Sequence, residues 1–231
     1  MKKSALIING LFLLAILILD ICYIIFDGIV LKSITSLCFF ALGVINLIMA
    51  IKMKTNKLKF SILLLVGLFF AMMGDIILEI HFISGAVLFA IGHIFFFISF
   101  CFIQRFKWID LAYGLIIFVP SCLVITLLPC FDFGGVLMEV VAVVYALIIS
   151  LMVGKAISNL IRNYTSANLI ILIGSILFFF SDLMLLFNVF ADISSAFGVL
   201  CLITYYPAEF LLAFSILYST LRSIKYEDSK E

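Results

Sequence analysis

The chain has 231 residues, of which 67% are hydrophobic and 12% charged, with a mean hydropathy of +1.41. Soluble domains hold about 45–50% apolar and about 25% charged residues, so a soluble fold is excluded and an all-α, polytopic membrane protein is expected. A net charge of +1 leaves no basic face, which excludes a nucleic-acid partner.

A membrane span needs about 20 mostly apolar residues. Eight segments meet this, at about 4–26, 33–51, 60–80, 83–103, 109–128, 135–157, 168–188 and 196–221. Met1-Lys2-Lys3 before an apolar run could open a signal peptide. The run continues to about Phe26 without a small-residue cleavage site, so it is read as span one. Connections are short, and residues 1–231 form a single transmembrane domain. Pro129-Cys130 and Gly134-Gly135 mark the loop between spans five and six.

Charge sets the orientation. Lys2, Lys3, Lys52, Lys54, Lys57, Lys59, Arg105, Lys107, Lys155, Arg162, Arg222, Lys225 and Lys230 all fall at one side, with Lys155 and Arg162 flanking the loop after span six. Lys32 alone is opposite, at the outer rim. Positive charge marks the cytoplasmic face, so both termini are expected in the cytoplasm, in agreement with the even span count. Trp108 beside Lys107 fits an interfacial anchor.

Cys22, Cys38, Cys101, Cys122, Cys130 and Cys201 are scattered through apolar runs, where a thiol behaves as a small hydrophobe. They form neither a disulfide framework nor a metal site. His81 and His93 are the only histidines. That leaves carboxylates plus one histidine as the sole alternative for a metal, and no metal and no cofactor is expected.

The informative residues are ionisable groups inside the spans, each costing about 2.5–3.5 kcal/mol to insert. With a rise of about 1.5 Å per residue, Asp20, Asp75 and Asp182 lie about 21–22 Å from the inner edge of a core about 30 Å thick. His93, Tyr205 and Glu209 lie about 15, 12 and 18 Å from the outer edge. One shared layer, from the outer third to just past the midplane, accounts for all six. Asp75 and Glu79, and Tyr205 and Glu209, are four apart on one helix face. Glu79 and His81 are close enough to the outer edge to be mouth residues or simply solvated. Asp20 either joins the layer or reaches toward Asp27 at the rim. Tyr205 and Tyr206 are equally readable as packing aromatics. Gly85, Ala86, Ala90 and Gly92 would let span four approach a neighbour closely.

Gly74-Asp75-Ile76-Ile77-Leu78 in span three and Ser181-Asp182-Leu183-Met184-Leu185 in span seven are alike, and each is followed by a returning span with polar residues at mid-depth. A parallel 4+4 repeat would produce this.

With those pieces in view, the chain resembles the YhhN family of membrane proteins, whose characterised members are lysoplasmalogenases. The similarity is carried by Gly74-Asp75-Ile76-Ile77-Leu78, by Phe89-Ala90-Ile91-Gly92-His93 with Phe96, by Ser181-Asp182, and by Thr204-Tyr205-Tyr206 with Ala208. It departs from the family at Glu209, where Gln is common, and at Pro207, which would kink span eight. The resemblance implies an eight-span fold in a bacterial cell membrane and a lysophospholipid substrate. It also implies cleavage of a vinyl ether bond to a fatty aldehyde and a glycerophospho-headgroup. Asp75 and Asp182 would then be the catalytic carboxyls, one protonated and one ionised. His93, Tyr205, Tyr206, Glu209, Glu79 and Asp20 would bind or orient substrate and water. A carrier with a proton-coupled carboxylate site is the leading alternative. An intramembrane aspartyl protease fits poorly, because Met72 stands where its Gly-x-Gly-Asp form needs glycine. A non-catalytic bundle whose polar layer only specifies packing is the remaining one.

Overall fold

The computed structural model describes residues 2–191 and 193–228. Lys230, counted in the charge pattern, lies outside them, as do the side chains of Lys2 and Lys225. Among the described residues there are eight helices, each long and apolar enough to cross a membrane, and no strand. They are α1 (Lys2–Phe26), α2 (Ile29–Lys52), α3 (Leu58–Leu78), α4 (Phe82–Ile103), α5 (Trp108–Leu127), α6 (Val136–Arg162), α7 (Ser166–Phe190) and α8 (Ala196–Asp228). In lipid a backbone must satisfy its own hydrogen bonds, which leaves helices as the way for such apolar runs to span.

The helix ends follow local chemistry. Between α1 and α2, Asp27 and Gly28 take positive φ (54° and 108°), and Gly28 N–H donates to Asp27 Oδ1 at 2.7 Å. A two-residue reversal of this kind needs glycine's freedom at Gly28. Thr165 caps α7 by accepting from Asn168 N–H at 3.1 Å. Helix α8 runs unbroken through Pro207, although proline withdraws the N–H that would bond to Ile203.

The bundle is apolar on its outside and encloses polar side chains among the apolar ones of its core. Ile7, Ile116 and Leu137 are exposed while Asn9, Asn46, Asp75, His93, Asp110 and Lys155 are buried. Asn9 and Asn46 exchange two amide hydrogen bonds at 2.9 Å, and Asn46 also donates to the Ala213 carbonyl at 2.9 Å, tying α1, α2 and α8. Such bonds are worth about 1 kcal/mol each in lipid.

The tightest pairs are the α3/α4 and α7/α8 hairpins, then α5/α6. Helices α2, α3, α4, α6, α7 and α8 form a ring closed by α8 on α2, with α1 outside against α2 and α8, and α5 outside against α6. The order partly repeats: α2 packs on α8 as α6 packs on α4. The contacts of α8 with α1 and α3 have no counterpart between α4 and α5 or α7. Small residues permit the closest approaches. A Cβ on Gly85 would fall 2.5 Å from Leu78 Cα, one on Gly92 3.2 Å from the Gly67 carbonyl, and one on Gly154 2.3 Å from Gly114 N. Span four therefore uses Gly85 and Gly92 for the close packing its composition predicts.

Two basic residues depart from their expected surroundings. Lys155 does not flank a solvated loop. It is buried inside α6 with its Nζ 2.6 Å from Asp110 Oδ2, because α5 brings a carboxylate against it. Ser158 Oγ donates to Asp110 Oδ1 at 2.5 Å, Arg162 Nη1 approaches the same oxygen at 3.5 Å, and Lys107 N–H donates to Oδ2 at 2.9 Å. Lys32, in the first turn of α2, is not solvated either. It is buried, with Nζ 2.6 Å from Glu79 Oε1 and 3.3 Å from Asp75 Oδ1.

Candidate functional site

Helices α4 and α7 do not touch through their backbones among the described residues. They meet through rings, His93 on Phe178 at 4.6 Å and Phe89 on Phe178 at 6.1 Å between centroids. The space left between these helices and their neighbours holds two adjoining cavities.

The first is a polar chamber of about 250 Å³ with Tyr23, Lys32, Asp75, Glu79, Ser181, Asp182, Asn188 and Tyr205 in its lining. Asp75 and Asp182 therefore face one space, as their common depth predicts. The second is an apolar groove of about 80 Å³ between α3, α4, α5, α6 and α7, walled by residues such as Ala86, Ile125, Val141, Ile149 and Leu186. Five residues line both: Leu78, Phe82, Phe89, Asp182 and Leu185. Asp182 is the one polar member of that partition.

Each aspartate is held by one helix from its own half of the chain and one from the other. Asp75 Oδ2 accepts from Ser36 Oγ of α2 and from Tyr206 Oη of α8, the latter at 3.1 Å, while Lys32 takes Oδ1. Asp182 Oδ2 accepts from Tyr145 Oη of α6 at 2.6 Å and lies 3.2 Å from His93 Nε2 of α4. Tyr145 Oη and His93 Nε2 are themselves 2.9 Å apart, closing a triangle. Asp182 Oδ1 makes no hydrogen bond among the described residues, and the side chain keeps 10% exposure toward the cavities.

The remaining predicted residues divide into lining and support. Glu79 stands at the chamber's mouth, 37% exposed, and accepts from Tyr23 Oη at 3.2 Å as well as from Lys32. Tyr205 lines the chamber and packs edge-on to Phe39, Phe89 and Phe178. Tyr206, His93, Glu209 and Asp20 line neither cavity. Tyr206 and His93 act on the aspartates from behind. Glu209 is fully buried one turn past Tyr205, with neither oxygen hydrogen-bonded among the described residues. Asp20 is buried rather than reaching to the rim, and its Oδ1 has no hydrogen-bond partner among the described residues. His81 caps α4 by accepting from Ser84 N–H at 3.2 Å and stays outside the site. Among the described residues no group of three or more His, Cys, Asp or Glu side chains is placed to hold a metal ion.

The sequence model of the YhhN family matches residues 27–216, most of the chain. The chain belongs to the YhhN family. No curated protein and no solved structure matches it. The matched stretch holds both aspartates and their partners, whereas Asp20 and Tyr23 precede it.

Three residues that hold the two aspartates of this YhhN chain were not expected as their partners from the sequence: Lys32 and Ser36 at Asp75, and Tyr145 at Asp182. Each left a signal. Lys32 is the single basic residue opposite the other thirteen, and Ser36 follows it by one turn on the same face. Tyr145 interrupts a run of Val, Ala, Leu and Ile at mid-span.

Proposed function

We propose that this YhhN-family protein is a membrane-embedded lysolipid hydrolase of the lysoplasmalogenase kind, cleaving the vinyl ether of a lysoplasmalogen. The observation that carries the reading is the junction at Asp182, where an apolar groove opens beside a polar chamber that also contains Asp75. A single-chain amphiphile has this same division. Its alkenyl chain suits the groove, its headgroup suits the chamber, and the ether bond falls between them. Lys32 is the one basic residue of the chamber lining among the described residues and the contact available to a phosphate.

Cleavage needs a proton delivered to the alkenyl carbon and water added to the resulting oxocarbenium-like centre. Two carboxyl groups in a site of restricted solvent serve such a cation well, as they do in glycoside hydrolysis. The test is release of fatty aldehyde from 1-alkenyl-lysophospholipid by the purified, reconstituted protein. The reading predicts release, with loss in Asp75→Asn and Asp182→Asn variants that remain folded. Absence of aldehyde, together with transfer of the intact lipid across a proteoliposome membrane, would replace it with a proton-coupled carrier.

A further inference from the structure

We infer that the two aspartates do not share the proton chemistry: Asp182 makes both proton transfers, and Asp75 remains a fixed anion tied to Lys32. This rests on the hydrolase reading and divides its labour.

Three features separate the pair. Asp75 has both oxygens engaged, by Ser36, by Tyr206 at 3.1 Å and by the Lys32 ammonium at 3.3 Å. Three donors, one of them cationic, suit a carboxylate that stays charged and stays still. Asp182 has one oxygen anchored by Tyr145 and His93 and the other unbonded among the described residues. Lastly, Asp75 lines the chamber alone, whereas Asp182 also lines the groove. The bond joining an apolar chain to a polar head sits where those spaces meet, beside the free oxygen of Asp182.

The reaction then balances on one carboxyl group. Asp182 Oδ1 gives its proton to the alkenyl carbon not bonded to oxygen, and the C=C electron pair forms the new C–H bond. The positive charge left on the other carbon and the ether oxygen faces the anion of Asp75. Water adds to that carbon, and its proton returns to Asp182 Oδ1, leaving a hemiacetal. The hemiacetal C–O bond breaks as the hydroxyl proton passes to the departing oxygen, releasing aldehyde and headgroup alcohol. Tyr145 is a positioning residue that keeps Asp182 Oδ1 turned to the substrate.

Dicyclohexylcarbodiimide, an apolar reagent that adds to protonated carboxyl groups, tests the division on the wild-type protein without relying on turnover. Mass spectrometry of peptides should find the adduct on Asp182, and a saturated-ether lysophospholipid should suppress it. An adduct on Asp75 instead, or on neither aspartate, overturns the inference. In the turnover assay Asp182→Asn should lose about 1,000-fold or more while still binding the saturated ether. Asp75→Asn should lose about 100-fold and still label at Asp182. Turnover by Asp182→Asn exceeding that of Asp75→Asn also overturns it. A wild-type protein that releases no aldehyde removes the hydrolase reading by itself, and the labelling still decides which aspartate carries the exposed proton.

Discussion

Lys32 and Asp75 form a buried ion pair, 3.3 Å from Nζ to Oδ1, with side chains 6% and 5% exposed. Removing one partner of such a pair strands the other charge and costs about 3–5 kcal/mol. Lys32→Met should therefore lower the melting temperature in detergent markedly, and Lys32→Met with Asp75→Asn should recover most of the loss. The neighbouring pair with Glu79 contributes less, because that carboxylate is 37% exposed and screened. A Lys32→Met protein melting with the wild type would show that the pair adds no stability.

Tyr145→Phe removes the 2.6 Å hydrogen bond to Asp182 and keeps the ring in the groove wall. One such bond is worth about 1 kcal/mol, so the fold should survive. Turnover should fall about 10-fold or more through kcat, with KM nearly unchanged, since a misoriented acid slows the chemical step and not the binding. A rise in KM at constant kcat would instead mark Tyr145 as a binding residue.

At the basic end, Asp110 and Lys155 are each fully buried and 2.6 Å apart. Lys155→Met should destabilise by about 3–5 kcal/mol, and adding Asp110→Asn should restore much of it. Neither residue lines the chamber or the groove, so turnover per folded molecule should hold. Thermal melting and active-fraction titration separate the two effects.

The α5/α6 crossing depends on Gly154, where an added Cβ would stand 2.3 Å from Gly114 N. The obstacle is backbone, so a side chain cannot be accommodated by a rotamer change. Gly154→Val should separate the helices and cost more than the ~1–3 kcal/mol typical of overpacking. Folded yield in detergent reads it, with Gly10→Val as control, since nothing lies within 4 Å of a Cβ there.

Glu209 is fully buried and neither of its oxygens has a hydrogen-bond partner among the described residues. A buried polar group without a hydrogen bond costs stability, and a charged one costs more. Glu209→Gln keeps the shape, loses no bond and removes the ionisable group, so its melting temperature should equal or exceed that of the wild type. A pronounced drop would reveal a partner that Glu209 alone can hold.

The eight spans, the shared depth of Asp75 and Asp182, and the close packing of Gly85 and Gly92 were all legible in the sequence. They follow from local properties. A run of about 20 apolar residues must cross the bilayer, and a fixed rise per residue converts position into depth. A carboxyl group at mid-depth must then face inward. The pairing of side chains was not legible, because it depends on which helices become neighbours. Tyr206 reaches Asp75 across 131 residues of chain, and Lys155 reaches Asp110 across 45. Charge counting treated Lys155 and Lys32 as labels of membrane side. Only the packing of α5 on α6 and of α2 on α3 turned them into buried partners of carboxylates. Hydropathy is a property of each segment and was settled before folding; the choice of hydrogen-bond partners belongs to pairs of segments and was decided by the assembled bundle.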